Sequence, residues 1–441
     1  MISKSSVEEF LLQTEDRNIV IDSRKVSAGD VFIGLKGEKV DGNDFVGEAL
    51  SKGASLVFSD KAFDDQRVLR VDNTNEILIE AAKSILSKSK LSNRIGITGS
   101  NGKTTTKEIS SFFLSKLGRV FKTAGNLNTE IGLPLSLLEN RRELFSAQYG
   151  VFEFGTSTKG DIEKLVGIVQ PDIAVLLNVG SAHVGNFKDI DELLQEKLSI
   201  FKSKRLSRAV LGGCDERLRE FSKGLPVEVL LFGKEDVDFS IVDFAYDKGD
   251  TMLHFFCDGD RFVRLRGIWS YGQLMDLGAA YLVARLVGVE EPSVFLNDYK
   301  LPFSDRFTVS ILKGITVISD FYNSSLESWE SAILSIEKLK SSRKIAVAGS
   351  ILEQGREEKR THERLGELLS KFDETVLFTR DMAINAASKN VKPALVSDSE
   401  EEIAAWLHRN VRSGDLVFFK ASRAIALEGV YKSFMELIES A

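Results

Sequence analysis

With 441 residues, 43% of them hydrophobic and 28% charged, the chain has the make-up of a globular protein too long for one ordinary core; roughly 150 residues per domain suggests three. A net charge of −7 without any concentrated Lys/Arg block argues against nucleic acid as a partner, so anionic ligands would be held locally by helix N-termini, a few cations and metal. Cys214 and Cys257 are too few for a disulfide framework or a Cys-based zinc site, the opening Met1-Ile2-Ser3-Lys4-Ser5 has no secretory pattern, and no window approaches about 18 unbroken apolar residues, so a cytoplasmic enzyme with no membrane span is expected.

Up to about residue 90, strand-like runs at 18–21 and 30–35 mix with polar turns, and the Ser/Lys-rich stretch 84–93 reads as a linker. The texture then changes. Ile95-Gly96-Ile97-Thr98 reads as a short buried strand, followed by a polar Gly-rich turn and a helix over 103–117 closed by Gly118. Further strands at 149–154, 173–177 and 208–211, with helical patterns between them, predict a largely parallel sheet covered by helices. Near Pro302 the same grammar restarts. Strands at 315–318, 345–348, 375–378 and 416–419 enclose helices at 326–340 and 357–371, a second, Rossmann-like α/β unit. The expectation is an α/β fold in three domains, 1–92, 93–302 and 303–441.

The chemistry begins at Gly96-Ile97-Thr98-Gly99-Ser100-Asn101-Gly102-Lys103-Thr104-Thr105-Thr106. A strand feeds a Gly-rich turn that opens a helix, so backbone N–H groups and the helix N-terminus can close around phosphate oxygens. Lys103 would reach the β/γ-phosphates and the Thr104 hydroxyl would ligate Mg2+. The spacing is a variant of GxxxxGK[ST], because Ile97 stands where that pattern places its first Gly. A Gly-rich turn that merely precedes Lys-Thr is the bland alternative, and the flanking strand and helix weigh against it.

Glu153 ends the next strand, and His183 follows the one after, in Asn178-Val179-Gly180-Ser181-Ala182-His183. Open α/β sheets bind ligands at these carboxyl ends, so phosphate loop, carboxylate and imidazole converge on one edge, as a metal-assisted phosphoryl site requires. A loop histidine taken singly is more often solvated or capping. Lys197 lies in a helical stretch over 189–202, inside the apolar stripe of Ile190, Leu193, Leu194, Leu198 and Phe201. A lysine there snorkels, pairs with a carboxylate, or is chemically altered.

These residues carry a resemblance. Thr98-Gly99-Ser100-Asn101-Gly102-Lys103-Thr104-Thr105-Thr106-Lys107-Glu108 resembles the ATP loop of the Mur ligase family, its D-alanyl-D-alanine-adding branch in particular. Asp22-Ser23-Arg24-Lys25-Val26, Gly29-Asp30-Val31-Phe32 and Leu35-Lys36-Gly37-Glu38-Lys39-Val40-Asp41-Gly42-Asn43 resemble that branch's uridine-nucleotide domain. Gly125-Asn126-Leu127-Asn128-Thr129-Glu130 resembles the family's central-domain loop. Asp320-Phe321-Tyr322-Asn323 is similar to its nucleotide segment, and Lys420-Ala421-Ser422-Arg423 to its C-terminal motif.

The resemblance implies a UDP-sugar-binding first domain, a central ATP-binding domain and a Rossmann-like third. It implies that Glu153 and His183 hold Mg2+ and that Lys197 is carbamylated to hold a second ion. Gly99, Ser100, Asn101, Gly102, Lys103, Thr104 and Thr105 would hold ATP, with Asn323 and Arg306 reaching it from the third domain. Ser23, Arg24, Asp41, Gly42 and Asn43 would hold the UDP-sugar, and Asn126, Asn128, Lys420, Ser422 and Arg423 further parts of the substrate. Lys103, Lys197 and His183 would serve catalysis. The implied reaction joins D-alanyl-D-alanine to UDP-MurNAc-tripeptide through an acyl phosphate, in peptidoglycan biosynthesis, by a monomer. Departures occur at Ser270-Tyr271-Gly272-Gln273-Leu274-Met275-Asp276, where the family carries Gly-x-His-Asn-x-x-Asn, and at Asn43, Ser324-Ser325-Leu326 and Ala421. The rivals are a sister or folylpolyglutamate-type ligase adding another amino acid, and a non-catalytic nucleotide-dependent switch.

Overall fold

The structure, a computed structural model, describes residues 17–37, 40–303 and 305–440. The opening segment read for a secretory pattern, and the motif residues Glu38 and Lys39, lie outside them.

Three sheets organise the described chain. The first is parallel: β1 (Ile19–Val20), β2 (Val31–Ile33), β3 (Leu56–Ser59) and β4 (Val68–Arg70), in that order. Its inner strands are buried on both faces, which is why Val-Phe-Ile and Leu-Val-Phe run without alternation.

The central sheet comprises β5 (Asn93–Thr98), β6 (Val120–Lys122), β7 (Tyr149–Glu153), β8 (Ile173–Leu176), β9 (Arg208–Gly212), β10 (Glu228–Gly233), β11 (Phe239–Asp247), β12 (Asp250–Phe256) and β13 (Asp260–Leu265). Its order is β13-β12-β11-β10-β9-β8-β5-β7-β6. All pairings from β6 to β11 are parallel, and β12 and β13 add an antiparallel edge. That edge has only one face covered: Thr251, Leu253 and Phe255 turn inward while Met252 and Phe256 are exposed.

In the third sheet, β14 (Thr308–Leu312) runs antiparallel to β15 (Ile315–Asp320). Next come β19 (Leu416–Lys420), β16 (Lys344–Ala348), β17 (Glu374–Phe378) and β18 (Leu395–Ser397), all parallel.

The first half of the linker expected over 84–93, residues 84–88, is helix. Asn73 caps the helix Thr74–Lys88 by accepting from the Asn75 N–H, and Ile77, Leu78, Ala81, Ala82 and Leu86 form its buried stripe. Ile77, Leu78 and Ala81 pack into the first unit's core, whereas Ala82 and Leu86 pack into the central one. Apolar periodicity outweighed the Ser/Lys content, and the helix bolts the two units together. The helix expected over 189–202 is α-helical only over Ile190–Leu198 and tightens to a 3-10 turn at Ser199–Lys202.

From β5 the chain goes to β6 and β7 on one side, then to β8 and β9 on the other. A crevice opens outside the carboxyl ends of strands at such a reversal. It receives the loop after β5, Glu153 at the end of β7, and the Asn178–His183 turn after β8. No helix among the described residues is long and apolar enough to cross a membrane.

Candidate active site

The loop after β5 is built around two glycines with positive φ, Gly99 at 157° and Gly102 at 87°. A side chain on Gly102 would overlap the Asp276 carboxylate, so loop and carboxylate touch. Asn178 braces the turn: its Oδ1 accepts from the Asn101 N–H at 2.9 Å, its Nδ2 donates to the Asn101 carbonyl at 3.2 Å, and its own carbonyl accepts from the Ser100 N–H at 3.1 Å. The Ser100 hydroxyl exchanges hydrogen bonds with the Gly180 backbone.

The helix Lys103–Leu114 then starts. The Lys103 amine folds back onto the Gly99 and Ser100 carbonyls, at 2.8 and 3.2 Å. Burial lowers its pKa, with Glu153 opposing and Arg306 assisting.

Thr104 donates its hydroxyl to Glu153 Oε2 at 3.0 Å. Asn128 donates to Glu153 Oε1 at 2.8 Å, and the buried Lys107 ammonium stands 3.4 Å from Oε2 while donating to the Thr123 and Gly125 carbonyls. From the third unit, Arg306 donates to the Thr104 hydroxyl at 3.3 Å and stacks on the Tyr322 ring at 3.6 Å. Thr105 is buried beside the loop, where it bonds Asp276.

Lys197 is buried, at 1% exposure, with no hydrogen-bond or ion-pair partner among the described residues. Its neighbour Glu196 is engaged elsewhere, accepting from the Gly160 and Ile162 N–H groups. Burial first, then the charge of Lys103, pushes the Lys197 pKa well below its ordinary value. His183 lies within reach of the same charges: burial and then Lys103 lower its pKa, and Lys197 adds to this. Its Nδ1 meets the Glu353 carboxylate. Phosphate loop, Thr104, Glu153, His183 and Lys197 therefore share one neighbourhood.

The donors suit Mg2+, which takes oxygen ligands and leaves several positions to water and substrate. A hydroxyl and a carboxylate converge at Thr104 and Glu153, and a buried amine without a partner faces the same charges. Among the described residues no three of His, Cys, Asp and Glu gather to hold a metal unaided.

Beyond the loop, a cavity of about 700 Å³ opens between the central and third units, lined among others by Asn101, Tyr271, Asp276, Tyr322 and Asn323. Asn323 is exposed at its rim, and Lys420 is tied behind it to Asp320 at 2.5 Å and to the Asn323 carbonyl. A smaller cavity of about 330 Å³ is lined by Thr104, Lys107, Asn126, Arg306 and Arg423. Arg423 faces the Tyr322 ring, whereas the Ser422 hydroxyl is spent accepting from the Leu352 N–H.

The first-unit residues form a separate cluster. Ser23 donates to Glu48, and the exposed Arg24 pairs with Asp22. Asp41 accepts from Asn43 and Lys61, which hold its pKa at about 2. Asn43 is buried, accepting from the Ser59 hydroxyl, and Gly42 passes so close to Leu35 that a side chain would not fit.

Family models match three stretches: "Mur ligase family, catalytic domain" over residues 17–90, "Mur ligase middle domain" over 97–266, and "Mur ligase, glutamate ligase domain" over 305–423. The UDP-N-acetylmuramoyl-tripeptide–D-alanyl-D-alanine ligase of Bacillus subtilis is 31% identical over 96% of this chain and 94% of its own length. The MurF ligase of Thermotoga maritima, solved in complex with ADP, superimposes with a TM-score of 0.91 at 37% identity, covering 96% of this chain and 98% of that one. A MurF from Acinetobacter baumannii gives 0.86 at 26% identity, covering 97% and 98%. The chain belongs to the Mur ligase family.

As a Mur ligase it shows three groups that sequence reading passed over. Lys107 lies one helical turn after Lys103, among the buried Thr106, Ile109 and Ser110. That is the same anomaly, a lysine in a buried stripe, that singled out Lys197. Asp276 is buried at the edge of the larger cavity, and burial raises its pKa to about 7 against the pull of Arg306 and Lys103. Glu353 is distant in sequence and gave no signal.

Proposed function

We propose that this Mur ligase joins D-alanyl-D-alanine to UDP-MurNAc-tripeptide at the expense of ATP, in the cytoplasm and as a monomer. Residues 1–92 would hold the UDP-sugar, 93–302 the ATP, and 303–441 would close over both. The observation that carries the reading is the convergence of Lys103, Thr104, Glu153, His183 and Lys197 on one crevice, within a family whose relatives bear that activity in their names.

A carboxylate and an amine do not condense in water, so the acid must be activated. The N–H groups of residues 102–105 cradle the ATP phosphates on a turn that Asn178 holds through the Ser100 and Asn101 N–H groups, and Lys103 exchanges the Gly99 and Ser100 carbonyls for phosphate oxygens. The tripeptide carboxylate then attacks the γ-phosphoryl group and ADP leaves, with Lys103 and Arg306 opposing the charge that builds on the transferring oxygens. Thr104, Glu153, His183 and a carbamylated Lys197 would hold two Mg2+ ions, which supply further charge neutralisation there. The amine of D-alanyl-D-alanine attacks the acyl carbon and phosphate leaves. Arg306 and Asn323 approach from the third unit, so closure completes the site and shields the acyl phosphate from water. Asn126, Asn128, Lys420 and Arg423 line the approach for the peptide, while Ser23, Arg24, Asp41, Gly42, Asn43 and Ser422 shape more distant contacts.

The test is phosphate release from ATP with UDP-MurNAc-tripeptide and each amine in turn. Release that depends on D-alanyl-D-alanine is expected. Release with a free diamino acid or glutamate instead, or ATP binding without amine-stimulated turnover, would overturn the assignment.

A further inference from the structure

At the seam between the central and third units, His183 and Glu353 face one another, and both hold their backbones in the left-handed region, at φ 65° and 61°. Non-glycine residues adopt that region only where their surroundings impose it, and such positions gather at functional sites. Here the surroundings interlock. The Gly185 N–H donates to the Glu353 carbonyl at 2.9 Å. Gly185 and Gly355 cross so tightly that a side chain on Gly185 would come within 2.5 Å of the Gly355 nitrogen. Beside them, the Ser181 N–H and hydroxyl donate to Glu327 at 2.8 and 3.0 Å.

The contact defines the ring chemically. An ionised carboxylate only accepts hydrogen bonds, so the nitrogen that meets it, Nδ1, carries the proton. The lone pair is then on Nε2, which has no protein partner among the described residues.

We propose that Glu353 is a positioning residue, delivered to His183 by closure of the third unit, that fixes the imidazole with Nε2 free to bind a divalent cation. Carboxylates that accept from the distal N–H of a metal-binding histidine orient the ring and raise its basicity. Because Glu353 belongs to the unit that closes, cation affinity and closure are linked. Whatever shuts the crevice tightens the cation, and the cation in turn favours the shut form.

The inference rests on the reading of His183 given above. The test titrates Mn2+, followed by electron paramagnetic resonance, into the full-length protein saturated with ADP. Glu353→Ala should bind Mn2+ about tenfold or more weakly than the parent, and Glu353→Gln, whose amide oxygen still accepts from Nδ1, should recover part of the loss. Glu353 is half exposed, so both variants should keep the parent's melting temperature. Affinity of Glu353→Ala within about threefold of the parent's would overturn the proposal. His183→Ala separates the two failures. If it too binds Mn2+ normally, the reading of His183 fails. If it binds weakly while Glu353→Ala does not, the site stands and only the role of Glu353 falls.

Discussion

The Thr104 hydroxyl donates to the Glu153 carboxylate at 3.0 Å, joining the first turn of the phosphate-loop helix to the end of β7. The β5–β7 register makes this reach possible, because Ile97 pairs with Glu153 and the loop begins only two residues later. Asn128 and Lys107 close on the same carboxylate, so its negative charge is aimed and held before any ligand arrives.

Glu153→Gln keeps the shape and removes the charge. Amine-dependent phosphate release should fall about 10²–10³-fold, the usual loss for one preorganised electrostatic contact. The variant also leaves the buried Lys107 ammonium without its anion, which should cost about 3 kcal/mol of stability. Phosphate assays and urea unfolding on the same preparation check the two effects. A variant that loses stability but turns over normally would remove Glu153 from the chemistry.

Lys197 should respond to CO2. Burial and Lys103 lower its pKa and so favour the neutral amine, which attacks CO2, forming the N–C bond and releasing one proton to leave a carbamate anion. Activity is therefore expected to drop in CO2-stripped buffer and to return with bicarbonate. Lys197→Arg, which stays cationic, should lose about 10²–10³ in rate and gain nothing from bicarbonate. NMR with isotope-labelled CO2 should show a carbamate signal in the parent and none in the variant.

The phosphate loop was legible in the sequence because its chemistry is local: a buried strand, two glycines and Lys103-Thr104 are contiguous, and the backbone between them has few ways to run. Glu153, His183 and Lys197 were legible by inference, since parallel strands deliver their carboxyl ends to one edge and an unexplained lysine in an apolar stripe draws notice. Glu353 was not, because its partner lies 170 positions away and only the docking of two units brings them together. The stretch around Asp276 was read for what it lacked, so a carboxylate pressed against Gly102 escaped notice. The antiparallel edge from Phe239 to Leu265 was also passed over, although its alternation of inward and outward residues is plain once only one face is known to be covered. The linker read at 84–93 failed over 84–88, because Ser and Lys mark turns only where no apolar stripe runs beneath them.

Asp276 should give stability a pH dependence of definite sign. Its folded-state pKa, about 7, lies above the ordinary 3.8. Between those values the folded chain keeps a proton that the unfolded chain has released, so this group favours folding at low pH and that benefit is lost as pH rises through 7. Asp276→Asn removes the effect. Relative to the parent, the variant should be more stable at pH 8 than at pH 4, by up to about 4 kcal/mol. Urea unfolding at both pH values measures it, and a pH-independent difference would show that Asp276 is ionised throughout.

Gly102→Ala tests why the loop needs glycine. At φ 87° an L-residue pays about 1–2 kcal/mol, and its Cβ would also overlap the Asp276 carboxylate. Asp276 stands on the long helix Tyr271–Val287, whose start is fixed by a capping box between Ser270 and Gln273, so the loop rather than the helix should yield. A displaced loop misdirects the N–H groups behind Lys103, and ADP affinity by calorimetry should fall at least about tenfold, or 1.4 kcal/mol. Combining Gly102→Ala with Asp276→Ala relieves the overlap and leaves only the backbone strain. The double variant should therefore bind ADP more tightly than Gly102→Ala alone, yet still below the parent. If the second substitution restores nothing, backbone conformation alone dictates the glycine, and the carboxylate is a bystander.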